Sequence, residues 1–557
     1  MANPIRTGRA FRAGSVAERM VDPGTAAPPV DNSNREATAR NSVTVVVWTL
    51  LSRVAGLVRV LVIGALMGPT YFANIFQAGY VLPNTIHSTI AGPILAMVLI
   101  PTIVRALDSG GTELAKAKLA KIGGRILGVG VTGALLLMLL SPVVAWSFTA
   151  GVPEPLRHRA WVMTIILILF VAPQVVFYGV CALGVAAQQS QGRFALPAAA
   201  PAIENIATIV TVLVAIWIYG PGLEVDKAPY GLMIMLGAGT TLAVVVHAAL
   251  QMYGTYKCGL FVLPSRGWKD DPESRDAVRR VYRSIPVAGC PSVTNYVLTA
   301  ISSTVPGGVL VVQLSYQVFY ALSFLGARAV SMAALPRLAT AAAAKDPHRF
   351  AVAWRQGLFY AVIASLPSLC LLAAFATPTA DLLANGELRE ANLINELAAC
   401  LAVAAFAQMA GGIHDFGRQA LFSVLDDKGP RIASFVGLGV GVVVAFSTLL
   451  LPPDGSRLAG LVICVLAGEL ASAVTVLARV RRALRPEAFT TRVHLLAIAL
   501  ATLAMFPVIF AGRWLLHVLN LERLGELAVL LGCGALSLGA FLLVVRYIGL
   551  KLTAEHP

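Results

Sequence analysis

Long apolar runs, separated by short polar ones, occupy almost the whole chain. A helix needs about 20 apolar residues to cross a bilayer, so these runs predict transmembrane helices. Their continuity does not fit the alternating strands of a membrane barrel. The pattern therefore predicts an all-α polytopic membrane protein with about 14 spans, at residues 43–67, 75–104, 124–148, 161–187, 198–219, 229–254, 284–304, 308–336, 352–376, 393–422, 432–451, 457–478, 493–516 and 525–549.

The first twelve spans contain an internal repeat. Pro101 and Pro336 are predicted to close spans two and eight, and Gly151 and Gly386 end the segments that follow, each pair at nearly the same offset. The pairs Pro142/Pro378 and Pro197/Pro430 repeat that offset closely. Repeated halves with a site between them are typical of alternating-access transporters. We expect a disordered cytoplasmic tail, a six-helix bundle, a basic linker, a second six-helix bundle and two additional helices, over residues 1–40, 41–256, 257–283, 284–485 and 486–557.

Composition and charge agree with a membrane location. The chain is 57% hydrophobic and 13% charged, with a mean hydropathy of +0.77 and a net charge of +15. Lys and Arg concentrate in every second loop, on the side of the membrane where the N-terminus lies. Because loops rich in Lys and Arg stay in the cytoplasm, both termini are predicted to be cytoplasmic. This distribution argues against a nucleic-acid partner. The seven cysteines lie mostly in apolar segments without metal-ligand spacing, so no metal or other cofactor is expected.

Span one carries two arginines, Arg53 and Arg59, inside an apolar run. A charge near the bilayer centre costs roughly 2.5–3.5 kcal/mol on insertion scales. On a helix the two side chains lie about 120° apart in azimuth and roughly 9 Å apart along the axis. They are predicted to line one hydrated cationic cavity. The alternative is that each pairs with a helix carbonyl or a buried carboxylate.

Further ionisable residues lie within predicted spans, and such residues are functional candidates by default. Three are candidates for coupling or counter-charge: Glu204, Glu396 and Asp415. Glu204 is expected to oppose Arg53 or Arg59, or to carry a proton. His414, Asp415 and Arg418 are interpreted first as a local polar network. The sequence contains neither a phosphate-binding Gly-rich loop nor a nucleophile elbow, so no enzymatic activity is predicted.

Several motifs resemble the MurJ/MviN family of lipid II flippases, in the multidrug/oligosaccharidyl-lipid/polysaccharide exporter superfamily. They are the SRVAGLVR stretch from Ser52 to Arg59, Leu82-Pro83-Asn84, the RFALP stretch from Arg193 to Pro197 followed by Pro201 and Asn205, and Asp426 to Pro430. The resemblance implies an alternating-access flippase in the bacterial inner membrane. Its substrate would be an undecaprenyl-diphosphate-linked cell-wall precursor, moved from the inner to the outer leaflet. Membrane lipids would contact it, with a lipid tail lying near the last two helices.

The resemblance also implies substrate-binding residues. Cavity cations contact the diphosphate in the family, and Arg53 and Arg59 match two of them. Together with polar and cationic neighbours, the substrate-binding candidates are Arg53, Arg59, Asn74, Asn84, His87 and Arg328. The chain departs from the family pattern where charged residues are usual, at Val60, Asn74, His87, Gly92 and Gln317. Arg328 is expected to replace the cation missing at Gln317, and its alternative role is an interfacial residue.

Three other functions remain open at the level of sequence. In the first, the cargo is another polyprenyl-linked glycan. In the second, it is a small cationic drug moved by antiport, which the arginines of the cavity disfavour. A non-transporting homologue that acts as a scaffold for cell-wall synthesis enzymes is the third. The coupling ion is not identified, and the membrane potential supplies about 2.3 kcal/mol per charge per 100 mV.

Overall fold

The computed structural model describes residues 32–554, apart from 95–98, 270–271, 345, 391–392, 425, 427, 485–488 and 520. The described residues form α-helices and no strand. In chain order the helices are α1 (Asn32–Met67), α2 (Tyr71–Ile94), α3 (Ile100–Thr149), α4 (Glu154–Val171), α5 (Gln174–Gln189), α6 (Ala195–Tyr219), α7 (Tyr230–Lys257), α8 (Pro272–Ser302), α9 (Gly308–Leu325), α10 (Ala327–Ala343), α11 (Pro347–Ala374), α12 (Ala376–Leu383), α13 (Glu387–Glu390), α14 (Ile394–Ser423), α15 (Lys428–Ser447), α16 (Gly455–Leu484), α17 (Arg492–Val518) and α18 (Arg523–Ala554).

The all-α polytopic fold is confirmed. Within the described residues, 11 segments are long and apolar enough to cross a membrane, and Gly308–Ser323 and Val330–Ala343 are shorter apolar helices. The two shorter helices together occupy the eighth predicted span. The second and seventh predicted spans correspond to α2 and α8, which are not among the 11.

Two predicted spans are broken rather than continuous. The fourth divides into α4 and α5 at Pro173, whose missing N–H removes a helical hydrogen bond. The eighth divides into α9 and α10 at Gly326, where φ is −94° and ψ is −115°. A Cβ at Gly326 would lie 3.1 Å from the carbonyl oxygens of Ala364 and Leu322. The close approach of α11 therefore favours glycine at this break.

The connection predicted between spans two and three, at residues 105–123, contains a break in the helix. Pro101 lies in the first turn of α3, whose 50 residues include the connection before the third span as well as the span itself. The helix is interrupted at Gly111, where φ is +67° and ψ is −162°. Proline is tolerated in a first turn because its N–H would have no helical partner there.

The ends of the predicted domains also differ in detail. Residues 1–31 of the expected tail lie outside the described residues, and α1 begins at Asn32, so residues 32–40 are helical. Within the expected linker, residues 258–269 pack along α3. Ser265 donates its N–H to the Ala120 carbonyl at 2.9 Å, and the Arg125 guanidinium lies 5.1 Å from the Trp268 ring. The linker then becomes the start of α8.

Apolar packing explains the arrangement of the helices. In the first half α1 packs on α6 and α6 on α7, and in the second half α14 and α15 pack on α16. One buried cluster includes Ile63 and Phe76 together with Leu310 and Leu401, so the apolar core continues from one half into the other. The last two helices, α17 and α18, pack on each other and on α11.

A polar seam joins the two halves along α2 and α8. Thr89 and Ser292 share a hydrogen bond between their hydroxyls, and the Asn295 amide donates to the Thr85 hydroxyl at 3.3 Å. Near the C-terminal end of α1 the halves approach more closely still. A Cβ at Gly307 would lie 2.3 Å from the Pro69 Cβ, so this end of the assembly is tightly closed.

Candidate functional site: a cationic cavity between the two halves

A cavity of about 430 Å³ lies beside the N-terminal half of the α1 span. Its walls come from α1, α2, α5, α6, α7 and α9, so both halves contribute. Most of the polar groups come from the first half. The lining residues are Thr49, Ser52, Arg53, Gly56, Arg59, Asn84, His87, Tyr178, Gln189, Phe194, Pro197, Ala198, Pro201, Glu204, Asn205, His247 and Gln317.

Arg59 is buried in the cavity wall and is 7% exposed. One of its terminal nitrogens donates to the Tyr80 hydroxyl at 2.7 Å and to the Asn205 side-chain oxygen at 2.8 Å. The guanidinium lies 4.5 Å from the centre of the Tyr80 ring. Its Nε has no hydrogen-bond partner among the described residues. The guanidinium is thus fixed in place by neutral groups.

Arg53 occupies an exposed position on the same cavity wall. The two arginines therefore line a single cavity, as their spacing on a helix predicts. Arg53 interacts electrostatically with Arg328 and Tyr320 of the second half. The exposed Asn84 lines the same cavity from α2. Cationic side chains from α1 and α10 thus converge where the two halves meet.

Glu204 belongs to a buried hydrogen-bonded group rather than to a simple pair with an arginine. It is 7% exposed. One carboxylate oxygen accepts from the Tyr178 hydroxyl at 2.7 Å, and the other lies 2.6 Å from the His247 Nδ1. Arg59 is within electrostatic range of this carboxylate. Both oxygens of Glu204 are therefore already engaged, and its negative charge is shared among three partners.

His87 lines the cavity next to this group. Its ring stacks on Tyr178 with 4.7 Å between centroids and an interplanar angle of 24°. Since Tyr178 is held by Glu204, the carboxylate fixes His87 indirectly through the tyrosine ring. The half-buried imidazole is positioned to donate or accept a hydrogen bond within the cavity.

Four predicted site residues do not line this cavity, and two of them, Asn74 and Glu396, line no other cavity described here. Asn74 is 1% exposed, and its amide donates to the Val305 carbonyl at 2.7 Å while its oxygen accepts from the Val309 N–H at 3.1 Å. It therefore ties α2 to the start of α9. Glu396 lies in the first turn of α14, and its Cγ would be 2.0 Å from a Cβ at Gly455. Both residues therefore pack against neighbouring elements of the protein.

The remaining predicted residues, Arg328 and Asp415, line a second cavity of about 240 Å³ in the other half. Asp415 forms an ion pair with Arg418 three residues further along α14. His414 lies with its Nδ1 2.9 Å from a carboxylate oxygen of Glu469 on α16. The predicted local network therefore contains two separate pairs, and one of them reaches another helix.

Sequence reasoning missed several residues of the first cavity. Tyr80 and Asn205 hold Arg59, and Tyr178 holds Glu204. The sequence offers a signal for His247, because an imidazole within a membrane span needs a polar partner. Its pairing with Glu204 requires the relative rotation of α6 and α7, which the sequence pattern does not supply.

Two helical halves that enclose a cationic cavity within a membrane-spanning fold are an architecture typical of alternating-access transporters. The match to the family model described as "Lipid II flippase MurJ" extends over residues 63–524. The chain therefore belongs to the MurJ family.

Comparisons with individual proteins agree with this family and fold. A Vibrio cholerae protein named probable lipid II flippase MurJ is 27% identical over 237 residues, which are 42% of this chain and 43% of that protein. The chain thus matches less than half the length of this relative. A lipid II flippase MurJ structure in an inward closed conformation superposes with a TM-score of 0.69 at 18% identity, covering 92% of this chain and 100% of the other.

A more distant structural neighbour is an inward-facing multidrug resistance transporter of the MATE family. Its TM-score is 0.59 at 14% identity, and the superposition covers 80% of this chain and 98% of the transporter. At such identities the likeness shows the fold.

Proposed function

We propose that this protein is a flippase that moves a polyprenyl-diphosphate-linked cell-wall precursor, similar to lipid II, from the inner to the outer leaflet. The observation that carries the proposal is the placement of Arg53 and Arg59 on the wall of one cavity at membrane depth. A charge at that depth is costly unless it serves a pathway or a ligand. Membership of the MurJ family supports the same substrate class.

The chemistry of the cavity suits a diphosphate. Arginine remains charged and binds phosphate oxygens through a planar fork of donors. Arg59 is held by a tyrosine and an asparagine rather than by a carboxylate, so its positive charge is not cancelled by a salt bridge. The carboxylate nearby, Glu204, is engaged by His247 and Tyr178. The arginines therefore present positive charge to an anionic headgroup.

The architecture supports alternating access. The halves are tightly packed near the C-terminal end of α1, at Gly307 and Pro69, whereas the cavity lies beside the other half of that helix. With both termini in the cytoplasm, as the distribution of Lys and Arg indicates, the cavity lies toward the cytoplasmic side of a bacterial inner membrane. The precursor would then enter from the leaflet in which it is made.

Reconstitution tests the proposal. Purified protein in liposomes is given a fluorescent lipid II, and exposure on the far leaflet is followed by quenching. The unmodified protein should accelerate exposure, and Arg59→Ala should slow it at least about tenfold, the equivalent of about 1.4 kcal/mol. Arg349→Ala is the matched control, because this arginine side chain is 77% exposed and lies outside both cavities.

The transport assay can be interpreted only if each variant is folded. Each variant is therefore compared by size-exclusion profile and thermal melting before transport is measured. If folded Arg59→Ala protein transports as fast as the unmodified chain, the diphosphate does not depend on this arginine. If the unmodified protein leaves the lipid where it was, the flippase proposal is wrong and a non-transporting role takes its place.

A further inference from the structure

The second cavity also contains charged side chains, but its lining is less polar than that of the first and its charge differs. It lies among α8, α9, α10, α14, α15 and α16, in the second half of the chain. Two arginines and two carboxylates line it, namely Arg328, Arg418, Asp415 and Glu469. Hydroxyl groups surround these charges, from Thr294, Tyr316, Tyr320, Ser323, Ser434 and Ser472. The charges balance, so the cavity suits a neutral polar ligand better than an ion.

Several polar atoms around this cavity are unsatisfied. Ser323 Oγ, His414 Nε2 and Arg418 Nε are buried atoms without a hydrogen-bond partner among the described residues. Most buried polar atoms in folded proteins are hydrogen-bonded, and each exception calls for an explanation. Three exceptions around one space mark hydrogen-bonding capacity that the described side chains leave unused.

The wall of the cavity also carries an aromatic face. Tyr316 and Phe319 are stacked with 5.7 Å between centroids, and Tyr320 packs edge-on against both rings. The Tyr316 and Tyr320 hydroxyls lie 3.1 Å apart. The cavity thus combines an apolar ring surface with donors and acceptors of hydrogen bonds, as the faces and edges of a sugar ring require.

Helix α9 places this cavity next to the cationic one. Gln317 faces the first cavity, while Tyr316 and Tyr320, on the same helix, face the second. Arg53 of the first cavity interacts electrostatically with Arg328 of the second. A ligand with a diphosphate followed directly by a sugar therefore has two adjacent sites of matching chemistry.

We propose that the second cavity is the saccharide subsite of the transporter, which holds the sugar of the substrate while Arg53 and Arg59 hold its diphosphate. This inference rests on the proposed function and assigns the carbohydrate to residues of the second half. Glu469, Asp415 and Arg418 hydrogen-bond sugar hydroxyls, and Tyr320 lies against the ring. The sugar is then recognised in the second half of the protein, whereas the diphosphate is bound mainly by the first.

Two probes separate the subsites. Geranyl diphosphate carries the diphosphate alone, and geranyl diphospho-N-acetylglucosamine carries one sugar in addition. Affinities for the purified full chain in detergent are measured by titration calorimetry. The sugar-bearing probe should bind at least about tenfold more tightly, a gain of about 1.4 kcal/mol.

Matched variants identify where the gain arises. Glu469→Ala and Tyr320→Leu should each reduce the gain to within about twofold, or about 0.4 kcal/mol, and leave geranyl diphosphate binding unchanged. Glu113→Ala and Tyr360→Leu make the same substitutions at exposed positions outside both cavities and should retain the gain. The second variant keeps the test decisive if the first fails to fold.

The outcomes are distinct. Equal affinity of the two probes for the unmodified protein would overturn the saccharide subsite while leaving the diphosphate site intact. The same holds if the gain survives in both cavity variants. If neither probe binds, the diphosphate site is absent, and the proposed function and the subsite are both rejected.

Discussion

The Glu204–His247 pair is the most unusual feature at the scale of single residues. The two side chains are 9% and 8% exposed, and they face each other across α6 and α7. Removal of one partner from a buried pair costs about 3–5 kcal/mol, whereas replacement of both by apolar residues is often neutral. The pair is therefore expected to show strong coupling.

A double-mutant cycle measures this coupling. Glu204→Leu and His247→Leu should each lower the melting temperature markedly, because each leaves a buried polar partner behind. The double variant should recover at least half of the loss. Additive effects, with the double variant the least stable, would show that the two side chains stabilise the fold independently.

At this scale, the sequence predicts relations between residues that are close along the chain but not contacts between distant ones. Arg53 and Arg59 stand out within one apolar run, so their common cavity follows from helix geometry alone. The partners of Arg59 are 21 and 146 residues away, and no local pattern connects them. Asn74 was assigned to the substrate by position in a motif, yet its amide binds the backbone at the start of α9.

At the scale of single elements, α15 shows how a helix start is fixed. The Asp426 carboxylate accepts from the N–H groups of Lys428 and Gly429, at 3.1 and 3.0 Å, and from the Arg479 Nε at 3.0 Å. Burial disfavours the charged carboxylate, but these hydrogen bonds outweigh it and hold the pKa of Asp426 below its ordinary value.

The lowered pKa of Asp426 determines in which direction the stability of the fold changes with pH. A carboxylate with a lowered folded pKa stabilises the fold at neutral pH, and this contribution is lost as the pH falls through that pKa. Asp426→Ala should cost about 0.5–2 kcal/mol at neutral pH, the usual cost of a lost helix cap. The difference from the unmodified protein should shrink as melting is measured below about pH 4. A constant difference over that range would exclude the charged cap.

Two glycines near α3 give a matched test of helix contacts. A Cβ at Gly151 would lie 2.4 Å from the Thr304 Cα, whereas a Cβ at Gly128 would meet no described atom within 4 Å. Gly151→Ala should therefore lower the melting temperature and loosen the contact between the halves. Gly128→Ala should be neutral, or stabilising by up to about 1 kcal/mol. Equal effects of the two substitutions would show that the close approach of Thr304 does not determine the cost of an added Cβ at position 151.

The elements themselves were largely predictable because apolar length marks a membrane helix. Within the described residues, each of the 14 predicted spans overlaps one or two helices. The break at Gly326 was not predicted, since its cause is the approach of α11, a contact between distant parts of the chain. The interruption at Gly111 falls within the connection predicted between spans two and three.

At the scale of the whole molecule, the proposed transport requires the two halves to separate on one side at a time. The seam between α2 and α8 holds them together where Thr89 and Ser292 share a hydrogen bond. Cysteines at these two positions are close enough for a disulfide. In a background without native cysteines, oxidation of Thr89→Cys/Ser292→Cys should stop transport, and reduction should restore it.

The single-cysteine variants, treated with the same oxidant, control for side reactions and should keep their activity. Full transport by a protein whose disulfide is shown by mass spectrometry would mean that α2 and α8 stay together throughout the cycle. The moving surfaces would then lie elsewhere, for example where α1 passes α9.

The way Arg59 is held has a consequence for the energetics of cargo binding. A free arginine loses about 1.5–2 kcal/mol of side-chain entropy when it is ordered. The Tyr80 ring and the Asn205 amide already order this guanidinium in the unliganded protein. Its immobilisation therefore belongs to the free energy of folding rather than to that of binding. The cavity is preorganised, and a diphosphate that enters it meets a rigid donor.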